Sequence, residues 1–242
     1  MNFGVVVFPG TWSDCDFHYV IGEVLHQPVR YVWHRDANLA DFDCLILPGG
    51  FSYGDYLRAG AVAGRSPVVE ALPEFAARGG LVLGSCNGFQ ILCEARLLPG
   101  ALMRNECLQY RCQSTYLVVE NADTAFTRAM RPGQVLKMPI SHGEGKYHAD
   151  SETIRSLKAK NQIVFRYCTE NGRVVKEANP NGSMDNIAGV INEEGTVLGL
   201  MPHPERAGED LIGNSDGLAL FRALIAACSR LGADLRAVMA DA

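Results

Sequence analysis

The sequence predicts an α/β protein: an open, mostly parallel twisted sheet with helices on both faces, and antiparallel strands added in its second half. Two observations carry this reading. In the first half, short apolar runs end in glycine or proline and alternate with helical stretches. Such runs suit strands buried on both faces of a parallel sheet. In the second half, strand-like runs follow one another with Asn-Gly and Glu-Gly pairs among them, a pattern of antiparallel turns.

The elements follow in order. Phe3–Phe8 is a strand stopped by Pro9-Gly10, and Cys15–His26 is a helix. Val29–Trp33 is a strand between Pro28 and the charged loop His34-Arg35-Asp36. Cys44–Leu47 runs into Pro48-Gly49-Gly50. Pro67–Arg78 places Val68, Val69, Leu72, Phe75 and Ala76 at helical spacing. Leu81–Leu83 is a strand ending at Gly84, followed by a helix from Phe89 to Ala95. Five strands are expected beyond it: Thr115–Glu120, Gln134–Ile140, Ile163–Cys168, Ile187–Asn192 and Val197–Met201. Asn171-Gly172, Asn181-Gly182 and Glu194-Gly195 read as hairpin turns. A closing helix is expected from Ser215, as N-cap, to Leu231. With 242 residues and no repeat or linker, residues 1–231 read as a single domain and 232–242 as a short tail.

Composition narrows the function. Apolar residues make up 48% and charged residues 20%, enough for a buried core. A net charge of −5 without a basic cluster argues against nucleic acid as partner. No apolar run reaches the roughly 18 residues that span a bilayer, and the N-terminus lacks a secretory pattern. A cytoplasmic protein without membrane contact is therefore expected. Its eight cysteines (15, 44, 86, 93, 107, 112, 168 and 228) are then free thiols. No C-x-x-C pair occurs, so no metal site is expected.

One thiol stands apart. Leu81-Val82-Leu83-Gly84-Ser85-Cys86-Asn87-Gly88 carries a buried strand through G-x-C-x-G into a helix. This is the form of a nucleophile elbow, which lifts a reactive side chain clear of a sheet edge. A helix N-terminus favours the thiolate of Cys86, and the Asn87 N–H is free to face an oxyanion. The plain alternative is a passive glycine-rich turn. Cys93 and Cys44 read as core residues, and Cys15, Cys107, Cys112, Cys168 and Cys228 as small buried hydrophobes by default. Of the six histidines, His203 follows an apolar strand in Met201-Pro202-His203-Pro204-Glu205. In an extended segment, residues two apart share a side, so Glu205 can orient the His203 ring. The alternative is a surface histidine in a proline-rich loop. Gly49 and Gly50, at the end of another strand, could add an oxyanion donor or simply make a tight turn. Ser141-His142-Gly143-Glu144 is a polar glycine loop that could clamp a substrate.

Taken together, these segments resemble the class I glutamine amidotransferases. G-x-C-x-G-x-Q at Gly84–Gln90 and H-P-E at His203–Glu205 look like that class's Cys-His-Glu triad. The string Pro48-Gly49-Gly50-Phe51-Ser52-Tyr53-Gly54-Asp55, with Phe8-Pro9-Gly10-Thr11, Leu97-Leu98-Pro99-Gly100 and His203-Pro204-Glu205-Arg206, looks like the glutaminase subunits of phosphoribosylformylglycinamidine synthase. Two departures are visible. The loop Thr11–Asp16 looks shifted by one inserted residue, and Ser85 stands where the family more often has a larger apolar residue.

The resemblance implies a flavodoxin-like sheet and a glutaminase that works through a Cys86 thioester, in purine (IMP) synthesis. It implies Cys86, His203 and Glu205 as catalytic residues, and backbone N–H groups of Gly50 and Asn87 as the oxyanion hole. Gln90 and the loop Ser141, His142, Gly143 and Glu144 would hold L-glutamine. Its partners would be a synthetase subunit that uses ATP and Mg²⁺, and a small third subunit. This chain itself has no Walker A string or G-x-G-x-x-G and is expected to carry no cofactor. The rival readings are the glutaminase subunit of a different synthase, or a Cys-dependent hydrolase of related fold.

Overall fold

The computed structural model describes residues 1–227. The expected end of the closing helix at Leu231, the tail 232–242 and Cys228 lie outside the described residues.

One nine-stranded sheet runs through these residues, in the order β2-β1-β3-β4-β11-β10-β9-β6-β7. β1 (Phe3–Val7), β2 (Val29–Trp33), β3 (Cys44–Leu47), β4 (Leu81–Ser85) and β11 (Val197–Leu200) are mutually parallel. β10 (Ile187–Ile191), β9 (Ile163–Cys168), β6 (Arg111–Val119) and β7 (Val135–His142) continue it antiparallel. The central strands have no polar face. Val5, Ile46 and Leu83 pack on one side, under α1 (Asp14–Tyr19) and the last helix, whose described part spans 218–227. Val6, Leu45, Leu47 and Val82 pack on the other, under α2 (Pro67–Glu70), α3 (Leu72–Ala77), α4 (Asn87–Glu94) and α5 (Ser151–Ala159). Apolar burial on both faces is what a parallel sheet requires.

Several expectations change. The helix expected over Cys15–His26 is α1 continued by a π-helical stretch, Val20–Val24. The helix expected over Pro67–Arg78 divides at Ala71, because Pro73 has no N–H to continue the ladder and its ring would strike the Val69 carbonyl. The last helix starts at 218; Ser215 is not its N-cap, and its hydroxyl instead donates to Asp210 Oδ1 (2.6 Å). Of the three expected hairpins, Glu194-Gly195 joins β10 to β11. Asn171-Gly172 and Asn181-Gly182 turn the chain, but into the 3₁₀ turns Lys176–Ala178 and Met184–Asn186 rather than into strands. Three elements were not anticipated. β5 (Ala101–Met103) and β8 (Lys146–His148) form a separate two-stranded sheet. α5 is capped by Asp150, whose carboxylate accepts from Thr153 N at 2.7 Å. Among the thiols, Cys15, Cys107 and Cys112 are exposed rather than buried, while Cys44, Cys93 and Cys168 are buried as expected.

The antiparallel half bends back over the parallel half. His203 N, just past β11, donates to Pro139 O of β7 (2.9 Å), though three strands separate β11 from β7 in the sheet. Asn214 Nδ2 also donates to Lys137 O of β7 (2.6 Å), so this edge is covered rather than exposed. No helix among the described residues is long and apolar enough to cross a membrane.

Candidate active site

β3, β4 and β11 lie side by side and parallel, so the segments leaving their C-terminal ends emerge together. Cys86 leaves β4 with φ +51° and ψ −105°, a strained backbone for a residue with a side chain. Its surroundings hold it there. Cys86 N donates to Leu200 O of β11 (2.8 Å), and the Ser85 hydroxyl donates to Pro202 O (3.3 Å). α4 then starts so close to β3 that a methyl on Gly88 would fall 1.9 Å from Leu47 O, so only glycine fits. The first bonds onto the helix run from Phe89 N and Gln90 N to Cys86 O. The N–H groups of Asn87 and Gly88 precede them and are free of helix bonding.

His203 arrives from β11. Its Nδ1 lies 2.6 Å from Glu205 Oε1 and donates to it, which leaves Nε2 as the free ring nitrogen. Both side chains are buried, and neither His203 Nε2 nor Glu205 Oε2 has a hydrogen-bond partner among the described residues. Burial alone would lower the His203 pKa. The Glu205 carboxylate and the neighbouring Cys86 oppose it and win, so the imidazolium is favoured. The resting Cys86 Sγ contacts Ser141 O at 3.6 Å.

Gly49 brings the third strand end to these groups. A methyl there would lie 2.6 Å from His203 Cε1 and 3.3 Å from Cys86 Cβ. The turn is fixed from behind, where Trp12 N and Ser13 N both donate to Gly49 O at 3.0 and 3.1 Å. Among the described residues the Gly50 N–H enters no backbone hydrogen bond, as an oxyanion donor requires.

The Ser141–Glu144 loop closes the other side. Gln90 Nε2 donates to Glu144 O (2.7 Å) and Gln90 Oε1 accepts from Asn87 Nδ2 (2.8 Å). Both ends of this amide are engaged, so Gln90 braces the loop. Ser141 Oγ pairs with Tyr110 OH at 2.9 Å. The His142 ring turns inward rather than into the cleft. Its Nδ1 donates to Asn105 Oδ1 (3.1 Å), and its Nε2 accepts from Asn181 Nδ2 (3.4 Å). Burial, aided by the His203 charge, lowers its pKa to about 4, which keeps it neutral. Gly143 O accepts from Asn105 N (2.9 Å). The Ser141 and His142 side chains are thus engaged within the fold, and Glu144 Oε1 lies 3.6 Å from Arg104 Nε.

Comparison with known proteins agrees with this geometry. Residues 3–218 match the description of a CobB/CobQ-like glutamine amidotransferase domain. The phosphoribosylformylglycinamidine synthase subunit PurQ of Moorella thermoacetica is 60% identical over 225 residues, covering 93% of this chain and 95% of that protein. PurQ of Aquifex aeolicus is 51% identical, covering 93% and 99%. The chain belongs to the PurQ family. Among solved structures, PurLQS of Thermotoga maritima superposes with a TM-score of 0.82 at 43% identity, covering 93% of this chain and 97% of that one. Another glutamine amidotransferase of Thermotoga maritima, 13% identical with a TM-score of 0.58, covers 93% of this chain and 96% of that one and shares the fold.

This PurQ-family site also contains residues that the motifs did not reveal. Arg206 reaches Ser13 Oγ (3.2 Å) and Asp16 (3.4 Å), and its Nε lies 4.0 Å from Glu205 Oε1. The loop Thr11–Asp16 is thus the outer wall of the His203–Glu205 pair. Asp16 has a raised pKa, from burial first and then from Glu205, against the pull of Arg206. Asn105 and Asn181 hold the Ser141–Glu144 loop. Arg206 adjoins the H-P-E string and could have been noticed there. Asn105 lies in a polar loop with no sequence signal, and Asn181 showed in the sequence only as part of an Asn-Gly turn.

Proposed function

We propose that this chain, as the glutaminase subunit of phosphoribosylformylglycinamidine synthase, hydrolyses glutamine through Cys86. The observation that carries the reading is the meeting of three groups. A strained cysteine at a helix start, an imidazole held by a buried carboxylate and two backbone N–H groups outside the backbone ladder meet at the ends of three adjacent strands.

The Cys86 thiolate attacks the side-chain amide carbon of glutamine. The resulting oxyanion is received by the N–H groups of Asn87 and Gly50. His203, as imidazolium, gives its proton to the departing nitrogen, and the C–N bond breaks to leave a Cys86 thioester and ammonia. His203 then takes a proton from water, whose oxygen attacks the thioester carbonyl. Glutamate departs and the thiol is restored, so one glutamine and one water yield one glutamate and one ammonia. Glu205 keeps the ring in the orientation and tautomer that both steps need.

In this reading the ammonia passes to a synthetase subunit that consumes ATP with Mg²⁺ in purine synthesis, in the cytoplasm. The likeness to PurLQS of Thermotoga maritima, with the 60% identity to a subunit of phosphoribosylformylglycinamidine synthase, supports the assembly and a small third subunit in it. The test is the reconstituted complex with Cys86→Ser. Glutamine-dependent amidation of formylglycinamide ribonucleotide should disappear while ammonium-dependent amidation persists. Unchanged glutamine-dependent activity would overturn the proposal.

A further inference from the structure

Asp55 is unexplained by the chemistry above. It lies in the turn after β3, where Tyr53, Gly54 and Asp55 all have positive φ (53°, 68° and 55°). A run of left-handed residues is costly, and it persists only where the surroundings impose it. Here it folds the turn against α4, since Ser52 N donates to Asn87 Oδ1 (3.2 Å), beside the nucleophile. The turn ends with polar groups shielded from water and unsatisfied. Asp55 Oδ1 is buried without a hydrogen-bond partner among the described residues. So is the hydroxyl of Ser52, a residue only 2% exposed. Buried polar atoms of this kind cost free energy unless a ligand completes them.

The second carboxylate is Glu144. Burial, and then the Glu144 charge, raise the Asp55 pKa to about 6, and no cation offsets them there. The nearest cation on Glu144 is Arg104, which is 3.6 Å away and whose side chain is 80% exposed. Asp55 therefore feels a second carboxylate, and among the described residues the one cation paired with that carboxylate is an exposed arginine. Both segments are tied to the helix that starts after Cys86, since Asn87 Oδ1 accepts from Ser52 N and Asn87 Nδ2 donates to Gln90 Oε1 (2.8 Å). Gln90 is one helical turn beyond Cys86, and its amide holds Glu144 O.

We propose that Asp55, paired with Glu144, binds the α-ammonium group of substrate glutamine and is a specificity-determining residue of the glutaminase. This rests on the proposed function and adds a residue to it. Asp55 Oδ1 accepts one ammonium hydrogen, Glu144 supplies the second negative charge, and Gln90 ties Glu144 to the helix that begins after Cys86. An amide substrate without the α-amino group leaves the two carboxylates uncompensated and is bound poorly.

Asp55→Asn in the reconstituted complex is the direct test. Asparagine is nearly isosteric with aspartate and tolerates a left-handed backbone, so the variant removes charge without removing the turn. KM for glutamine should rise by about tenfold to a hundredfold, with kcat changed less than about threefold. The preference of the wild type for glutamine over glutaramate, its analogue without the α-amino group, should largely vanish. Asp55→Glu, which keeps the charge, should retain part of that preference, and Glu144→Gln should shift it in the same direction as Asp55→Asn. Ammonium-dependent synthesis, unchanged throughout, reports that the complex has folded and assembled. An unaltered glutamine KM, or equal losses for glutamine and glutaramate, would overturn the inference. A wild-type complex that forms no thioester with glutamine would instead overturn the function on which it rests.

Discussion

His203 donates from Nδ1 to Glu205 Oε1 at 2.6 Å, while the Nε2 of the same ring is buried and bonded to nothing among the described residues. One nitrogen is committed and the other is left for chemistry. The burial that isolates this pair also makes the carboxylate indispensable, because in a dry site an imidazolium is stable only beside a negative charge.

Glu205→Gln should therefore reverse the balance at His203. Burial would then dominate, and the ring would give up its proton at lower pH than in the wild type. Glutamine hydrolysis should fall between about a hundredfold and ten-thousandfold, with ammonium-dependent synthesis intact. Imidazole NMR titration alongside rate measurement checks both halves. An unmoved His203 titration would mean that Glu205 does not set the state of the ring.

Gly49→Ala should disable the site by crowding alone. The new methyl would come within 2.6 Å of His203 Cε1, and the turn cannot retreat because Trp12 N and Ser13 N hold the Gly49 carbonyl. The ring must move instead. We expect loss of most glutamine-dependent activity and about 1–3 kcal/mol of stability, as for an overpacked core. Thermal melts and steady-state kinetics measure the two effects, and full activity would show that the turn yields.

His142 should make the fold sensitive to acid. In the unfolded chain its imidazole takes a proton near pH 6.5, and in the folded state only near pH 4, because burial opposes the charge. Between those values the unfolded state holds more protons, so stability falls as pH falls. The contribution lost is about 3 kcal/mol. Urea unfolding from pH 7 to pH 4 should show a decline that His142→Gln makes shallower. Equal slopes in the two proteins would remove His142 from the cause.

The parallel half of the fold was legible because its information is local. Val29–Trp33 and Cys44–Leu47 are strands with the expected limits, the first bounded by Pro28 and a charged loop, the second an apolar run stopped by Pro48-Gly49-Gly50. The strand-to-helix turn at Cys86 was legible for the same reason, as Gly84, Cys86 and Gly88 act within five residues. Other features were hidden because their cause is remote. The first residues of β6, Arg111–Ser114, have no apolar signal and are strand only because β7 pairs with them across Ile140 and Ser141. The inward turn of His142 depends on Asn105 and Asn181, each more than 30 residues away in sequence.

The sequence by itself singled out the side chains proposed to carry the chemistry: a cysteine at a strand-to-helix turn and a histidine two residues before a glutamate. Tertiary structure alone decided how they meet. It placed β11 beside β4, so that His203 and Cys86, 117 residues apart, leave adjacent strand ends. It bent the antiparallel strands back until β7 met His203, bringing the Ser141–Glu144 loop over the thiol. It also brought the Glu144 charge to bear on Asp55. The reason is physical: a residue's reactivity follows from its own atoms, but its pKa, orientation and partners depend on what the packed chain brings near it and on the water that packing removes.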